Sequence, residues 1–197
     1  MLSEENYNTM KDKYGSVGSW AIWRPAGDTP KSNTHDMSWV EDDDLLQVIN
    51  TGFVFVGLNW SSTHGDQSQG GTLPWVNFHS SYSYQNDYKL RYAVTGTRYW
   101  GSYITDIIKL YAEVDSGKVK NYLRNHPEIV FRNVIKFEEE ISLLGSSPVL
   151  VALGGDTYNI LKKHLGHKFT IARIKHYSFT ISKENYRKEL IETLDKY

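Results

Sequence analysis

The sequence predicts an α/β protein with three layers, in which helices cover both faces of a central, mostly parallel four-stranded sheet. Residues 52–58 and 148–154 read as buried strands, the first without polar alternation, as is typical of a strand buried on both faces, and residues 102–108 are predicted to form a further strand. A fourth strand is predicted over residues 169–178. Stretches with helical spacing of apolar residues separate these runs, and strands that alternate with helices are typical of a parallel sheet.

The composition is that of one globular domain. The chain has 197 residues, of which 40% are hydrophobic and 23% are charged, and this length suits a single domain with its own core. We therefore predict one domain over residues 1–197, with residues 1–50 as an irregular segment packed on it through Trp20 and Trp23. Because the chain has no cysteine, disulfides, thiolate zinc sites and cysteine-held iron–sulfur clusters are excluded.

The other elements follow from local signals. Helices are predicted, in chain order, over residues 41–52, 90–97, 126–145, 155–166 and 182–197. Acidic residues begin the first of them, and Ser182 is the expected N-cap of the last. Residues 61–88 form a long polar loop, and its aromatic residues, among them Trp75, favour a functional role over disorder.

Charge is unevenly distributed although the net charge is −1. Residues 1–60 carry nine acidic and four basic side chains, whereas residues 157–188 carry eight basic side chains and one acidic. A basic end fits either contact with a phosphate backbone or a solvated helix face. We see neither a signal peptide nor an apolar run near the ~20 residues that span a bilayer. The expectation is a cytoplasmic monomer without a membrane partner.

Polar residues stand where the predicted strands end. Asn59 follows the first strand, Asp106 lies near the end of the second, and residues 176–178 end the fourth. Because ligands bind outside the carboxyl ends of parallel strands, these positions predict one shared site. Each also has a structural alternative. Asn59 can be a turn residue, Asp106 can pair with Lys109 on the surface, and His176 can be a core histidine.

Two further signals are weaker. Gly154 and Gly155 end the third strand before a helix, which predicts an anion site at the helix N-terminus, although any tight strand–helix turn uses glycine. A metal site of His64, Asp66 and His79 is conceivable in the long loop, but no metal-binding spacing supports it. We predict no metal and no cofactor.

Four segments occur together in an informative order over roughly residues 50–195. They are "FVFVGLNWS", "SYITDIIKL", "FEEEISLLGSSPVLVALGGDTYNILKKHL" and "HYSF". They resemble, in turn, the Gly-x-Asn first motif, the middle strand, the helix–strand–helix stretch through "ALG", and the His-Pro-Ser motif of the uracil-DNA glycosylase superfamily. The Asn and His pair most resembles the single-strand-selective monofunctional branch, and the Asn motif is also similar to the mismatch-specific branch.

The resemblance implies a hydrolase of base-excision DNA repair, which flips a nucleotide of damaged or single-stranded DNA into a pocket and cleaves its N-glycosidic bond. It implies that Asn59 holds the attacking water and that His176 hydrogen-bonds the base as negative charge develops on it. The implied base-binding residues are Gly57, Leu58, Phe78 and Asp106. The implied DNA-binding residues are Gly154, Gly155, Lys175, Ser178 and Phe179. Phe179, with Ile181, stands where the family places its wedge. Phe78 either stacks on the base or only packs.

Three residues depart from the family pattern. Trp60 and Tyr177 replace prolines, which preset turns, so the catalytic loops can be placed differently. Asp106 stands where several members have an Asn that reads the base edge. A carboxylate only accepts hydrogen bonds and suits an amino-bearing base such as cytosine, whereas a protonated Asp106 can read uracil or the cytosine N3 atom.

Two other functions remain open at this point. One is a glycosylase-fold protein that has lost catalysis and binds nucleic acid or a nucleotide. The other is an unrelated α/β enzyme acting on a nucleoside or nucleotide, with a phosphate at Gly154 and Gly155. The salt dependence of binding separates the glycosylase and the non-catalytic binding protein from the unrelated enzyme, since contacts to a phosphate backbone weaken steeply with salt.

Overall fold

A computed structural model describes residues 2–59, 73–80, 85–109, 111, 113 and 115–197. These residues form a five-stranded sheet in the spatial order β1-β3-β2-β4-β5. The strands are β1 (Ser19–Trp20), β2 (Asn50–Asn59), β3 (Ser102–Ile108), β4 (Val149–Leu153) and β5 (Ile171–Ile174). Strands β2 to β5 run parallel, as predicted, and β1 runs antiparallel to β3.

Helices lie on both faces of this sheet. They are α1 (Glu4–Tyr14), α2 (Leu45–Val48), α3 (Asp87–Val94), α4 (Ser116–Asn125), α5 (Pro127–Ser142), α6 (Gly155–Leu165) and α7 (Lys183–Leu194), with a 3-10 turn at Ser38–Glu41. Side chains of α3 and α7 share one apolar cluster, and side chains of α1, α4, α5 and α6 share the other. This arrangement is compatible with the predicted three layers. No helix in the described part of the chain is both long and apolar enough to cross a bilayer.

Strand β2 contributes side chains to the apolar clusters on both faces of the sheet. Phe53 and Phe55 belong to the cluster with α3 and α7, while Val54 and Val56 belong to the cluster with α5 and α6. Successive side chains of a strand point to opposite faces. An unbroken apolar run therefore supplies both cores, which is the reason the sequence pattern predicted this strand correctly.

The sheet has one strand more than the predicted four. Ser19 and Trp20 form the short β1, which pairs with Ile104 and Tyr103 at the edge of the sheet. Trp20 is fully buried. Two residues in a stretch punctuated by glycine and serine carry no strand periodicity, so the sequence pattern could not reveal this pairing.

The N-terminal segment is more regular than predicted. Residues 4–14 form α1, in which the Ser3 side chain caps the helix by accepting a hydrogen bond from the Asn6 N–H. Only Tyr7 and Met10 of this helix are buried, so its apolar stripe is too thin to detect. Met10 and Trp20 are buried in the cluster of α1, α4, α5 and α6, and Trp23 is buried in the cluster of α3 and α7.

Two other helices differ from the prediction. The helix predicted over residues 41–52 is reduced to Leu45–Val48, because β2 already begins at Asn50. Helix α4 was not predicted, and it begins at Asp115, whose carboxylate accepts hydrogen bonds from two backbone N–H groups of the first turn. At the other end of the chain, Ser182 caps α7 as predicted.

Candidate functional site

The strand order places a crevice at the carboxyl ends of β2 and β4. Among the described residues, the first helix after β2 is α3, which lies on one face of the sheet, whereas α6 follows β4 directly and lies on the other face. The two strands are direct neighbours, with Val56 opposite Ala152. Such a switch point between adjacent parallel strands is where open α/β sheets bind ligands. Asn59 and Gly154 flank it.

Gly57, Asp106 and Phe78 meet on the α3–α7 face of the sheet. Gly57 lies opposite Asp106 in the ladder between β2 and β3. A Cβ atom on Gly57 would lie 2.2 Å from Asp106 Oδ1 and 3.8 Å from Phe78 Cε1. The carboxyl group therefore occupies the space above Gly57, and the phenyl ring borders the same space. Glycine is required at position 57 because any side chain would displace the carboxyl group.

The Asp106 carboxyl group is buried and titrates near neutral pH. Its side chain is 4% exposed, and burial raises its pKa from 3.8 to about 7, against the lowering effects of Lys109 and of a hydrogen bond with Asn77. The alternative of a surface pair with Lys109 is wrong. Lys109 Nζ lies 2.6 Å from Glu140 Oε2 and donates to the Asp106 main-chain oxygen at 2.5 Å instead.

The segment that carries Phe78 is held in an unusual backbone conformation. Trp75 and Phe78 have φ angles of +71° and +68°, and bulky side chains rarely adopt this left-handed region. The Trp75 N–H donates to Gly15 O at 2.6 Å, and Asn77 Nδ2 donates to Val17 O at 2.7 Å. Strain maintained by such anchors is typical of functional segments.

The aromatic residues of the predicted loop thus divide into two kinds. Trp75 is fully buried, donates from Nε1 to the Tyr7 hydroxyl at 3.0 Å and packs against Trp20, so it is a core anchor. Phe78 is half-buried at the edge of the α3–α7 cluster, where its ring borders the same space above Gly57 as the Asp106 carboxyl group. Trp60, His64 and Asp66, together with the loop aromatic residues Tyr82 and Tyr84, lie outside the described residues.

Asn59 and Leu58 point to opposite faces of the sheet. Strand alternation places Asn59 on the face of Gly57 and Asp106, and its Nδ2 donates to Glu113 O at 2.7 Å. This bond orients the amide. The Leu58 side chain packs on the cluster of α5 and α6. The Leu58 side chain therefore lies on the opposite face of the sheet from the Asp106 side chain, because adjacent strand residues point to opposite faces. The role of Leu58 in base binding stays a prediction.

His176 is held as a neutral ring with a defined tautomer. Its Nδ1 accepts a hydrogen bond from the Ser178 N–H at 3.1 Å and lies 2.7 Å from Ser178 Oγ. An accepting Nδ1 places the proton of the neutral ring on Nε2. The ring keeps some solvent contact, yet its burial among protein atoms lowers its pKa to about 4. At neutral pH His176 therefore offers an Nε2–H donor.

Tyr177 connects the His176 segment with the Asp106 face. The Tyr177 ring is buried in the α3–α7 cluster and lies 4.2 Å from the His176 ring. Burial raises its pKa well above 10, and the carboxyl groups of Asp87 and Asp106 raise it further. Its hydroxyl is thus within electrostatic range of Asp106. The family that the sequence resembles has proline at this position. Here the buried Tyr177 ring instead packs the turn onto the α3–α7 cluster.

The predicted DNA-binding residues of this turn, Lys175, Ser178 and Phe179, differ from one another in their exposure and contacts. Phe179 protrudes, with 53% of its surface exposed, and its main-chain oxygen accepts from Lys89 Nζ at 3.0 Å. Lys175 Nζ lies 2.5 Å from Glu189 Oε2, so its charge is compensated. Ser178 is exposed but contacts His176. Only Phe179 extends into solvent as a wedge would.

The N-terminus of α6 combines a glycine turn with a cation. Gly154 has a φ of +102° and provides no capping side chain. A Cβ atom on Gly155 would lie 3.4 Å from Arg173 Nη2. The positive end of the helix dipole and the guanidinium group of Arg173 therefore lie side by side at the switch point. Sequence reasoning counted Arg173 only as part of the basic segment.

His79 is a core residue. It is buried between Trp23 and Trp39, with ring centroids 4.9 Å and 5.5 Å away. Its Nε2 lies 3.3 Å from Trp20 O, and burial lowers its pKa to about 4. These contacts exclude the metal-ligand role that its sequence position allowed. No group of three or more histidine, aspartate or glutamate side chains within the described ranges could hold a metal ion.

The structure also places a buried ion pair directly behind Asp106. Glu140 is fully buried, and its Oε1 accepts hydrogen bonds from the hydroxyls of Tyr103 and Thr105, both at 2.8 Å. With Lys109, it fixes β3 from the α5 side of the sheet. The sequence pattern does not reveal this network, because Glu140 lies 31 or more residues away from each of its partners Tyr103, Thr105 and Lys109. Only the fold brings these side chains together.

Taken together, the site offers a buried carboxyl group, an aromatic ring beside it, and a helix N-terminus with an arginine. An imidazole N–H donor follows β5, and a tethered amide ends β2, with β4 between these two strands. Comparison with known proteins finds no family model, no curated protein and no solved structure that matches this chain.

Proposed function

We propose that this protein is a DNA glycosylase of the uracil-DNA glycosylase type, which flips a damaged or deaminated base into the site and hydrolyses its N-glycosidic bond. The observation that carries the proposal is that the Asp106 carboxyl group and the Phe78 ring border the same space above Gly57, where β2 pairs with β3. A planar ring beside a buried hydrogen-bonding group suits a nucleobase, which presents an apolar face and a polar edge. The order of the sequence motifs supports the same assignment.

The residues take the following roles in this proposal. Phe78 stacks on the base, and Asp106 reads its edge. Water adds to the sugar C1′ as the C1′–N bond breaks, and the base leaves with the bonding electron pair. The Nε2–H of His176 donates to a base carbonyl, where it stabilises the developing negative charge. Asn59 positions the attacking water through its amide, which the bond to Glu113 O orients.

Asp106 determines which base edge fits. A protonated carboxyl group donates one hydrogen bond and accepts others, so it pairs with a carbonyl oxygen and a ring N–H, as in uracil. An ionised carboxylate only accepts and prefers an amino-bearing base. Because the pKa of Asp106 is about 7, the protein reads uracil-like edges on the acid side of neutrality.

Contacts to the DNA backbone come from the other strand ends. The backbone at Gly154 and Gly155, together with Arg173, contacts a phosphate at the N-terminus of α6. Phe179 enters the space that the flipped base vacates. Ser178 has an indirect role, because its backbone N–H donates to His176 Nδ1 and thereby keeps the ring proton on Nε2.

A second candidate is a protein of this architecture that binds a base or nucleic acid without cleaving it. One observation favours it. The Asn59 amide nitrogen is engaged with Glu113 O at 2.7 Å, and a tethered amide can serve to tie β2 to the segment after β3 without handling water. In this reading the carboxyl group and ring still recognise a base, and hydrolysis is absent.

The test uses single- and double-stranded oligonucleotides that each carry one uracil, hypoxanthine, xanthine or alkylated base. Alkaline cleavage reveals abasic sites. Asn59→Ala is compared with the matched control Asn121→Ala, an exposed asparagine on α4. We expect cleavage by the native protein and the control, and a loss of about 100-fold or more in Asn59→Ala. Absence of cleavage on every substrate, with salt-sensitive binding retained, would favour the second candidate.

A further inference from the structure

A cavity lies on the opposite face of the sheet from Asp106. It has a volume of about 410 Å³ and opens between α4, α5 and α6 at the end of β2. We call it the α4–α6 groove. Its floor is apolar and consists of Leu58, Leu123, Pro127, Val130 and Ile160. This volume lies within the range of small-molecule sites, roughly 300–1,000 Å³, which are also mostly apolar.

The rim of the α4–α6 groove is basic. Lys120 and Arg124 line it from α4, and Lys163 lines it from α6. Asp156 is the only acidic side chain among the described lining residues, and it lies 3.3 Å from Lys120 Nζ. One acid thus compensates one of three cations, and Arg124 and Lys163 leave an excess of positive charge beside the apolar floor.

His164 completes the rim without adding charge. Burial lowers the pKa of His164, and the charge of the neighbouring Lys163 lowers it further. Both effects favour the neutral form of the ring. Together with the Asn159 side chain, it provides a neutral polar contact. The groove therefore combines an apolar floor and neutral polar groups with two cations, one on α4 and one on α6, for which no ion pair is found among the described residues.

We propose that the α4–α6 groove binds a small organic anion whose apolar body lies on Leu58, Leu123 and Ile160 and whose anionic group contacts Arg124 and Lys163. An apolar body gains from leaving water on the floor of the groove, and the cations select a carboxylate, sulfonate or phosphate ester. Neither an inorganic anion nor a neutral apolar molecule would use both features. The site does not depend on the function proposed for the Asp106 face.

A nucleic-acid strand is a different occupant, and it fits the groove less well. Backbone binding uses exposed cations that follow a phosphate chain and gains little from an apolar floor. The floor here is enclosed by three helices, and its volume suits a ligand of small-molecule size. The distinction is experimentally accessible because only a nucleic acid would compete in a salt-sensitive, length-dependent way.

The probe is 1-anilinonaphthalene-8-sulfonate, which has an apolar body and one anionic group. Its fluorescence is titrated with the folded native protein, with Lys163→Glu and with the matched control Lys162→Glu. Lys162 is exposed on the same helix and does not line the groove. We expect saturable binding that Lys163→Glu weakens about tenfold, a change of about 1.4 kcal/mol, and that Lys162→Glu changes less than about twofold. Equal melting temperatures show that the dye does not report loosened packing.

Competition identifies the chemistry of the ligand. Displacement of the dye by octanoate, but not by the same concentration of inorganic phosphate, supports an organic anion. Equal displacement by phosphate would overturn the proposal, because the floor would then be unused. Displacement by a random oligonucleotide that weakens with salt would assign the groove to nucleic acid instead. Identical affinities in Lys163→Glu and Lys162→Glu, or no saturable binding, would also refute it.

Discussion

The buried Asp106 carboxyl group makes the stability of the protein depend on pH. In the folded state its pKa is raised from 3.8 to about 7, so between these values the folded protein keeps a proton that the unfolded chain has lost. The folded state binds more protons in this window, and its stability falls as the pH rises. Above about pH 7 both states are ionised and the loss is complete. Asp106→Asn keeps the shape of the side chain and removes this titration.

The magnitude follows from the shift. Each pKa unit is worth about 1.4 kcal/mol, so ionising Asp106 in the folded protein costs about 4 kcal/mol in total. Part of this cost is already present at pH 5, where the unfolded chain is ionised. Between pH 5 and pH 8 the native protein is expected to lose roughly 2–3 kcal/mol relative to Asp106→Asn. Any pH-independent effect of the Asp106→Asn substitution on stability cancels when the stability difference at pH 5 is compared with that at pH 8.

The assay is urea unfolding of both proteins at pH 5 and pH 8, followed by tryptophan fluorescence. The exposed Asp12→Asn variant on α1 controls for the loss of one carboxyl group. We expect the stability difference between Asp106→Asn and the native protein to grow with pH, and that of Asp12→Asn to stay nearly constant. If the Asp106→Asn difference were the same at both pH values, the carboxyl group would titrate normally and our account of its burial would be wrong.

Three further variants and titrations test the surrounding structure. Gly57→Ala places a methyl group 2.2 Å from Asp106 Oδ1 and should cost roughly 1–3 kcal/mol in urea unfolding; a neutral effect would mean that the carboxyl group is elsewhere. His176, with a pKa of about 4, should show no NMR titration between pH 5.5 and 8, whereas a midpoint near 6.5 contradicts its burial. Lys109→Met leaves the buried Glu140 carboxylate without its partner and should destabilise the protein by about 3–5 kcal/mol. Adding Glu140→Gln should restore part of that loss, and no recovery would show that the pair is not the cause.

Local patterns in the sequence were enough for the main framework. The strand at residues 52–58 was recognisable because apolar side chains on both faces leave a continuous apolar run. Helix α7 was recognisable by its Ser182 cap. The candidate site was predicted at the strand ends because parallel strands bring those ends to one edge of the sheet. Helix α1 escaped detection because only Tyr7 and Met10 of it are buried, and β1 escaped because two residues show no period.

The composition of the site depended on contacts between distant parts of the chain. The sequence contained Gly57, Asp106 and Phe78, but only the pairing of β2 with β3 and the anchored turn around Trp75 bring them together. The His176 tautomer likewise depends on a local turn whose geometry the residue types do not specify.

The sequence by itself determined the order of the four parallel strands β2 to β5 and of the helices α3, α5, α6 and α7, the absence of thiol chemistry and the residue types at the strand ends. Tertiary structure decided that Leu58 lines the α4–α6 groove while Asn59 lies on the Asp106 face, and that Asp106 is buried and titrates near neutrality. The physical reason is that periodicity and turn preference act between near neighbours in the chain. Which face of a strand meets which helix, and how much water a carboxyl group loses, depend on crossovers that join residues far apart in the sequence.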